Sequence, residues 1–129
     1  MGATILIADS SRRLRALIRR ILVQGPDLQV IGEAEDGAEA ILLSHEHRPD
    51  IVLLDLAMPQ VNGLEAMQQI KANRSETKVI IMTVHTEAAY REAAEANGAD
   101  AVLLKKTLMS TLLPTIRYIR NSMLPPSMP

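Results

Sequence analysis

The 129-residue chain has no cysteine, which excludes disulfide scaffolds, thiolate zinc sites and cysteine nucleophiles. It has no Trp, no Phe and two Tyr, too few to build a base-stacking platform or an aromatic ligand cage. It has no excess of either charge: 14 Lys and Arg face 15 Asp and Glu, for a net charge of -1. Bulk attraction to nucleic acid or to an anionic membrane is therefore not expected. Apolar runs end after a few residues, far short of the ~18 needed for a membrane span. The opening MGATILIADSSRR puts no basic segment ahead of its short apolar run, so it does not read as a signal peptide, and a cytoplasmic location is expected. What remains, 47% hydrophobic and 22% charged, is the composition of one ordinary globular domain.

Two apolar patterns alternate along it. Thr4-Ile5-Leu6-Ile7-Ala8, Leu28 with Val30-Ile31, Ile51-Val52-Leu53-Leu54, Val79-Ile80-Ile81-Met82 and Ala101-Val102-Leu103-Leu104 are short and mostly unbroken. Runs of this kind predict strands buried on both faces. Between them the spacing is helical: Leu14, Leu17, Ile18, Ile21 and Leu22; Ala38, Ile41 and Leu42; Leu64, Met67 and Ile70; Ala89, Ala93, Ala94 and Ala96, stopped by Asn97-Gly98; Leu108, Leu112, Ile116 and Ile119. Five β-α repeats with short links predict an α/β fold, a doubly wound parallel sheet with helices on both faces. One domain over residues 1–121 is expected, with Ser122 to Pro129 as a linker or disordered tail.

Ligands of an open α/β sheet sit outside the carboxyl ends of its strands. The first, third, fourth and fifth runs end at Asp9, Asp55, Thr83 and Lys105. Taken singly, an Asp after a strand is commonly a turn or helix-cap residue, and a Thr there reflects strand propensity. Together at one sheet edge, two acids, a hydroxyl and an amine suit phosphoryl transfer. A carboxylate can attack phosphorus to give an acyl phosphate. Mg²⁺ needs only one or two carboxylates besides water and phosphate oxygens. Lys and Thr can neutralise and hydrogen-bond the phosphoryl oxygens.

These residues, with the segments ILIADS, DIVLLDLAMPQVNG, VIIMT and GADAVLLKK, resemble the receiver domain of bacterial two-component response regulators from about Thr4 to Arg120. The spacing Asp55-x-x-Met58-Pro59-x-x-x-Gly63 carries most of the likeness. The stretch QVIGEAEDGAEA resembles the subgroup with a C-terminal helix-turn-helix DNA-binding domain. The resemblance implies a five-stranded sheet of order 2-1-3-4-5. It implies Asp55 as phosphoacceptor, with Mg²⁺ held by Asp9, Asp55 and the backbone carbonyl of Ala57; the hydroxyl of Ser10 is a further candidate ligand. It implies Thr83 as the switch hydroxyl and Lys105 as the partner of a phosphoryl oxygen, with Pro59 and Gly63 shaping the loop. A histidine kinase or phosphotransfer protein would be the donor, and DNA would be reached only through an effector domain that this chain lacks. The activity implied is self-phosphorylation from a donor and autodephosphorylation, not that of a conventional enzyme.

Four positions depart from that pattern. Ser10 stands where the family has a second acid, so weaker Mg²⁺ binding is expected. Lys106 follows Lys105 where the family has a proline joined by a cis bond, leaving the geometry of that bond open. Val102 replaces the switch aromatic of strand five, and Val84 replaces a small residue after Thr83, where its bulk is expected to narrow access to Asp55. Two other readings compete. One is a degenerate receiver acting as a phosphorylation-independent interaction module. The other is a flavodoxin-like carrier, opposed by the glycine-free loop Asp9-Ser10-Ser11-Arg12 and the missing aromatics. Tyr90, Arg91, Ile119 and Arg120 are candidates for a partner or homodimer surface on the α4-β5-α5 face. The arginines 12, 13, 15, 19 and 20 read either as a solvated helix face or as a docking surface for an acidic partner. His45, His47 and His85 are too scattered for a metal site; His85, two residues after Thr83, sits where the family tunes dephosphorylation.

Overall fold

The computed structural model describes residues 2–123. The elements run β1 (Ala3–Ala8), α1 (Arg12–Leu22), β2 (Leu28–Ala34), α2 (Gly37–His47), β3 (Ile51–Asp55), α3 (Gly63–Asn73), β4 (Lys78–Thr83), α4 (Ala88–Ala96), β5 (Ala101–Leu104) and α5 (Leu108–Met123), with a short 3-10 turn at Lys105–Thr107. The strands form one parallel sheet in the order β2-β1-β3-β4-β5. This is the doubly wound α/β architecture expected from the sequence.

Side chains of a strand alternate between its two faces, which explains the unbroken apolar runs. Ile5, Ile7, Ile51, Leu53, Ile80, Met82 and Leu103 face one layer with Ile18 and Leu22 of α1 and Leu112 and Ile116 of α5. Leu6, Ala8, Val52, Leu54, Val79, Ile81 and Val102 face the other with Ala40, Met67, Ile70 and Ala94 of α2, α3 and α4. Each large aliphatic side chain buried this way contributes roughly 1.5–3 kcal/mol. The cost of a two-faced core is that polar groups are driven to the strand ends, where the candidate site lies.

The loop after β3 is fixed by close backbone approach. A Cβ on Gly63 would stand 2.4 Å from the carbonyl oxygen of Asp55, and one on Gly37 would stand 2.1 Å from that of Val61. The Gly63 N–H donates to the carbonyl of Leu56 at 2.9 Å. Gln60 lies at φ 66°, in a γ-turn closed by the Val61 N–H on the carbonyl of Pro59 at 2.8 Å. The segment between Asp55 and Gly63 is thus wedged against the first turns of two helices.

Helix α5 outruns the expected boundary. It passes through Pro114, which removes one helix hydrogen bond, and continues to Met123, two residues beyond position 121. The Ser122 hydroxyl donates to the carbonyl of Ile119 at 2.7 Å and helps satisfy that last turn. The remainder of the expected tail, 124–129, lies outside the described residues. Among the described residues no helix is long and apolar enough to cross a membrane.

Candidate functional site

Asp9 directly follows β1 and is fully buried. Its N–H continues the sheet pattern by donating to the carbonyl of Ala34 at 3.0 Å. Its Oδ1 accepts the Ser11 N–H at 2.7 Å, and Ser11 Oγ in turn caps α1 by accepting the Leu14 N–H at 3.1 Å. One oxygen of Asp9 therefore does the ordinary turn work of such a residue. The other, Oδ2, is sealed from solvent and lies 2.7 Å from Lys105 Nζ, an ion pair without a well-directed hydrogen bond.

Asp55 is the last residue of β3 and is 4% exposed. Its Oδ1 lies 3.0 Å from the same Lys105 amine and accepts the Ala57 N–H at 3.1 Å. Among the described residues no partner engages its Oδ2. Burial, and then the negative charge of Asp9, raise the Asp55 carboxyl above its ordinary value, with Lys105 opposing them. For Lys105, burial pulls downward, but the two carboxylates outweigh it and hold the amine above its ordinary value. Lys105 opens the 3-10 turn after β5, and no peptide bond among the described residues is cis, so the Lys105-Lys106 link is trans.

Thr83 ends β4 and is buried, with its Oγ1 accepting the His85 N–H at 3.0 Å. It makes no hydrogen bond to Asp55. Ser10 is exposed beside Asp9, and Val84 is 68% exposed. Val102 is buried against the α3-α4 layer. The structure thus gathers Asp9, Asp55, Lys105 and the Ala57 backbone around one point, with Thr83 at a neighbouring strand end turned to its own loop.

Several surface expectations change. Arg15 is buried: its Nη1 donates to the carbonyl of Asp9 at 2.6 Å and its Nε to Glu33 Oε1 at 2.8 Å. Arg19 pairs with the other Glu33 oxygen. Arg12, Arg13 and Arg20 are exposed. Ile119 is 2% exposed and faces the core, so it cannot serve a partner surface, and Arg120 donates to the carbonyl of Pro26 at 3.3 Å. Arg91 is exposed, and Tyr90 is stacked on His85. His45 and His47 are exposed on α2. The anchoring role of Arg15 was missed by sequence reasoning, yet it had a signal: Arg15, Ile18 and Leu22 fall on one helical stripe.

The chemistry of the donor set fits a hard divalent cation. Two carboxylates converge, one with an oxygen sealed from solvent, next to an exposed hydroxyl and a loop backbone. No group of three or more His, Asp or Glu able to hold a metal occurs among the described residues; the negative charge gathered at the site is that of Asp9 and Asp55, with the Lys105 ammonium between them.

The response regulator receiver domain family matches residues 5–117, and the chain belongs to that family. It is similar to the response regulator protein VraR of Staphylococcus saprophyticus, 33% identical over 122 residues, 95% of this chain and 58% of that protein. It is similar to the transcriptional regulatory protein DegU of Brevibacillus brevis, 30% identical over 115 residues, 89% of this chain and 49% of that one. A solved two-component response regulator of the LuxR family from Aurantimonas sp. superposes with a TM-score of 0.89 at 30% identity, over 95% of this chain and 87% of that one. The chain spans about half the length of the curated relatives it matches.

Proposed function

We propose that Asp55 is the phosphoacceptor of this receiver domain, charged by a histidine kinase or a phosphotransfer partner in the cytoplasm. The observation that carries the reading is the division of labour on its carboxylate. Lys105 and the Ala57 N–H occupy Oδ1, which leaves Oδ2 as the attacking oxygen. An Oδ2 lone pair forms the O–P bond as the P–N bond of a phosphohistidine breaks; the electron pair leaves with the imidazole nitrogen, which takes a proton from solvent. The Lys105 ammonium offsets charge on the transferred oxygens, and Thr83 supplies a hydroxyl donor when its side chain turns toward them. Asp9, Asp55, the Ala57 carbonyl and Ser10 would hold Mg²⁺, which when bound neutralises phosphoryl charge. The output face would be the trough of about 520 Å³ between α4 and α5 over β5, lined by Arg91, Glu95, Val102, Thr111 and Tyr118. DNA would be reached through an effector region outside this chain, as the transcriptional relatives suggest.

Incubation with acetyl phosphate and Mg²⁺ tests this. The chain should gain one phosphoryl mass that maps to Asp55 and is absent in Asp55→Asn. No gain, with the fold intact, would leave the phosphorylation-independent adaptor as the better account. Ser10 gives a second expectation. With one acid fewer than the usual pattern, Mg²⁺ should bind weakly, and Ser10→Asp should tighten it by about tenfold or more. Titration calorimetry reads this, and a wild-type affinity equal to that of the variant contradicts it.

A further inference from the structure

We propose that the stacked pair His85–Tyr90 carries the state of the Asp55 site to α4, and so to the trough between α4 and α5. The proposal rests on the phosphoacceptor reading of Asp55. At the site end, the His85 N–H is held by Thr83 Oγ1 at 3.0 Å. A hydroxyl drawn toward new negative charge on Asp55 leaves that part-buried N–H without its acceptor and frees the turn it closes at His85 to rearrange. At the other end, the His85 ring lies flat on Tyr90, with centroids 4.0 Å apart and planes 7° apart, and its Nδ1 is 3.8 Å from Glu87 Oε2. Tyr90 sits in the first turn of α4.

That helix is the one most easily moved. Ser11, Asp36 and Asn62 cap α1, α2 and α3 through their side chains, whereas α4 has no side-chain cap. Helix α4 buries Ala94 alone. Its first turn is tied to the preceding loop by the Tyr90 N–H on the carbonyl of Glu87 at 3.1 Å and by the ring stack. An element with so little buried surface lies at the low end of local stability and follows a small push. Strand β5 offers no competing aromatic, since Val102 is a small buried side chain.

The chain reports on itself, because Tyr90 and Tyr118 are its two tyrosines and it has no Trp. Tyr118 is 75% exposed, so Tyr118→Leu should fold and leave Tyr90 as the emitter. In that parent, beryllofluoride with Mg²⁺ should shift Tyr90 emission and change amide exchange across residues 88–96. Adding His85→Ala should abolish both responses while acetyl phosphate still adds the phosphoryl mass. If that variant fails to fold, Tyr90→Leu should lose the exchange response and Tyr90→Phe, which keeps the ring, should retain it. A parent that gains the mass without a change at Tyr90, or a His85→Ala or Tyr90→Leu chain that responds like its parent, overturns the proposal and spares the phosphoacceptor reading. A parent that gains no phosphoryl mass removes both.

Discussion

Lys105→Met should destabilise the fold by about 3–5 kcal/mol, the usual cost of removing one partner from a buried ion pair. The amine lies 2.7 Å from Asp9 Oδ2 and 3.0 Å from Asp55 Oδ1, and the two carboxylate side chains are 1% and 5% exposed. Without it, two buried acids face each other with no cation between them. The deficit should depend on pH in a definite direction. The Asp55 carboxyl is already raised above its ordinary 3.8 by burial and by Asp9, and loses its one opposing charge. A folded value above the unfolded one means that the folded chain holds the proton more tightly. That contribution is fully present below 3.8 and is lost as pH rises through the folded value. The Lys105 contribution has the same sign higher up: present below its ordinary 10.5 and lost above the folded value. Urea denaturation of Lys105→Met should therefore show a larger deficit at neutral than at acid pH, and adding Asp55→Asn should recover part of it. A loss under about 1 kcal/mol, typical of an exposed pair, would mean that the carboxylates find other partners.

The sheet was legible because its physics is local to each strand. A segment buried on both faces must be apolar at every position, so Ile51 to Leu54 announce a central strand without any knowledge of their neighbours. Asp9, Asp55, Thr83 and Lys105 were legible as a group for the same reason, since a parallel sheet delivers all its strand ends to one edge. What could not be read were pairings between side chains far apart in sequence. Arg15 looks like its exposed neighbours until the Asp9 carbonyl, just after β1, and Glu33, in β2, are placed around it. Ile119 and Arg120 adjoin in sequence, yet one enters the core and the other bonds to Pro26 across the fold. The Lys105-Lys106 bond was open because a non-proline bond favours trans by about 3 kcal/mol while the family's loop has a cis bond at that place, and sequence does not say which demand the loop meets. The stack of His85 on Tyr90 depends on a loop conformation that no periodicity encodes.

Arg15→Ala should cost about 2–3 kcal/mol, whereas Arg12→Ala, Arg13→Ala and Arg20→Ala should each stay within about 0.5 kcal/mol. All four residues lie on one short helix with the same charge, so the contrast isolates burial. The Arg15 guanidinium spans two strands, bonding the Asp9 carbonyl after β1 and Glu33 in β2, and its truncation leaves the carbonyl buried without a donor. Arg15→Lys should recover only part of the loss, because a single ammonium on a flexible stem cannot reproduce two fixed N–H directions. Glu33 gives the pH signature. Arg19 first and Arg15 second, against the opposing effect of burial, hold its carboxyl below the ordinary 4.5. A depressed folded value contributes stability that is present above 4.5 and lost as pH falls through the folded value. Acid denaturation of Arg15→Ala should therefore begin from a lower plateau and show a shallower loss in that window than the wild type. The same variant bears on the site, since Arg15 holds the backbone of the residue whose Oδ2 faces Lys105. A loosened Asp9 should weaken Mg²⁺ binding under conditions where the variant remains folded. Arg15→Ala with wild-type stability and wild-type Mg²⁺ affinity would reduce its buried contacts to incidental packing.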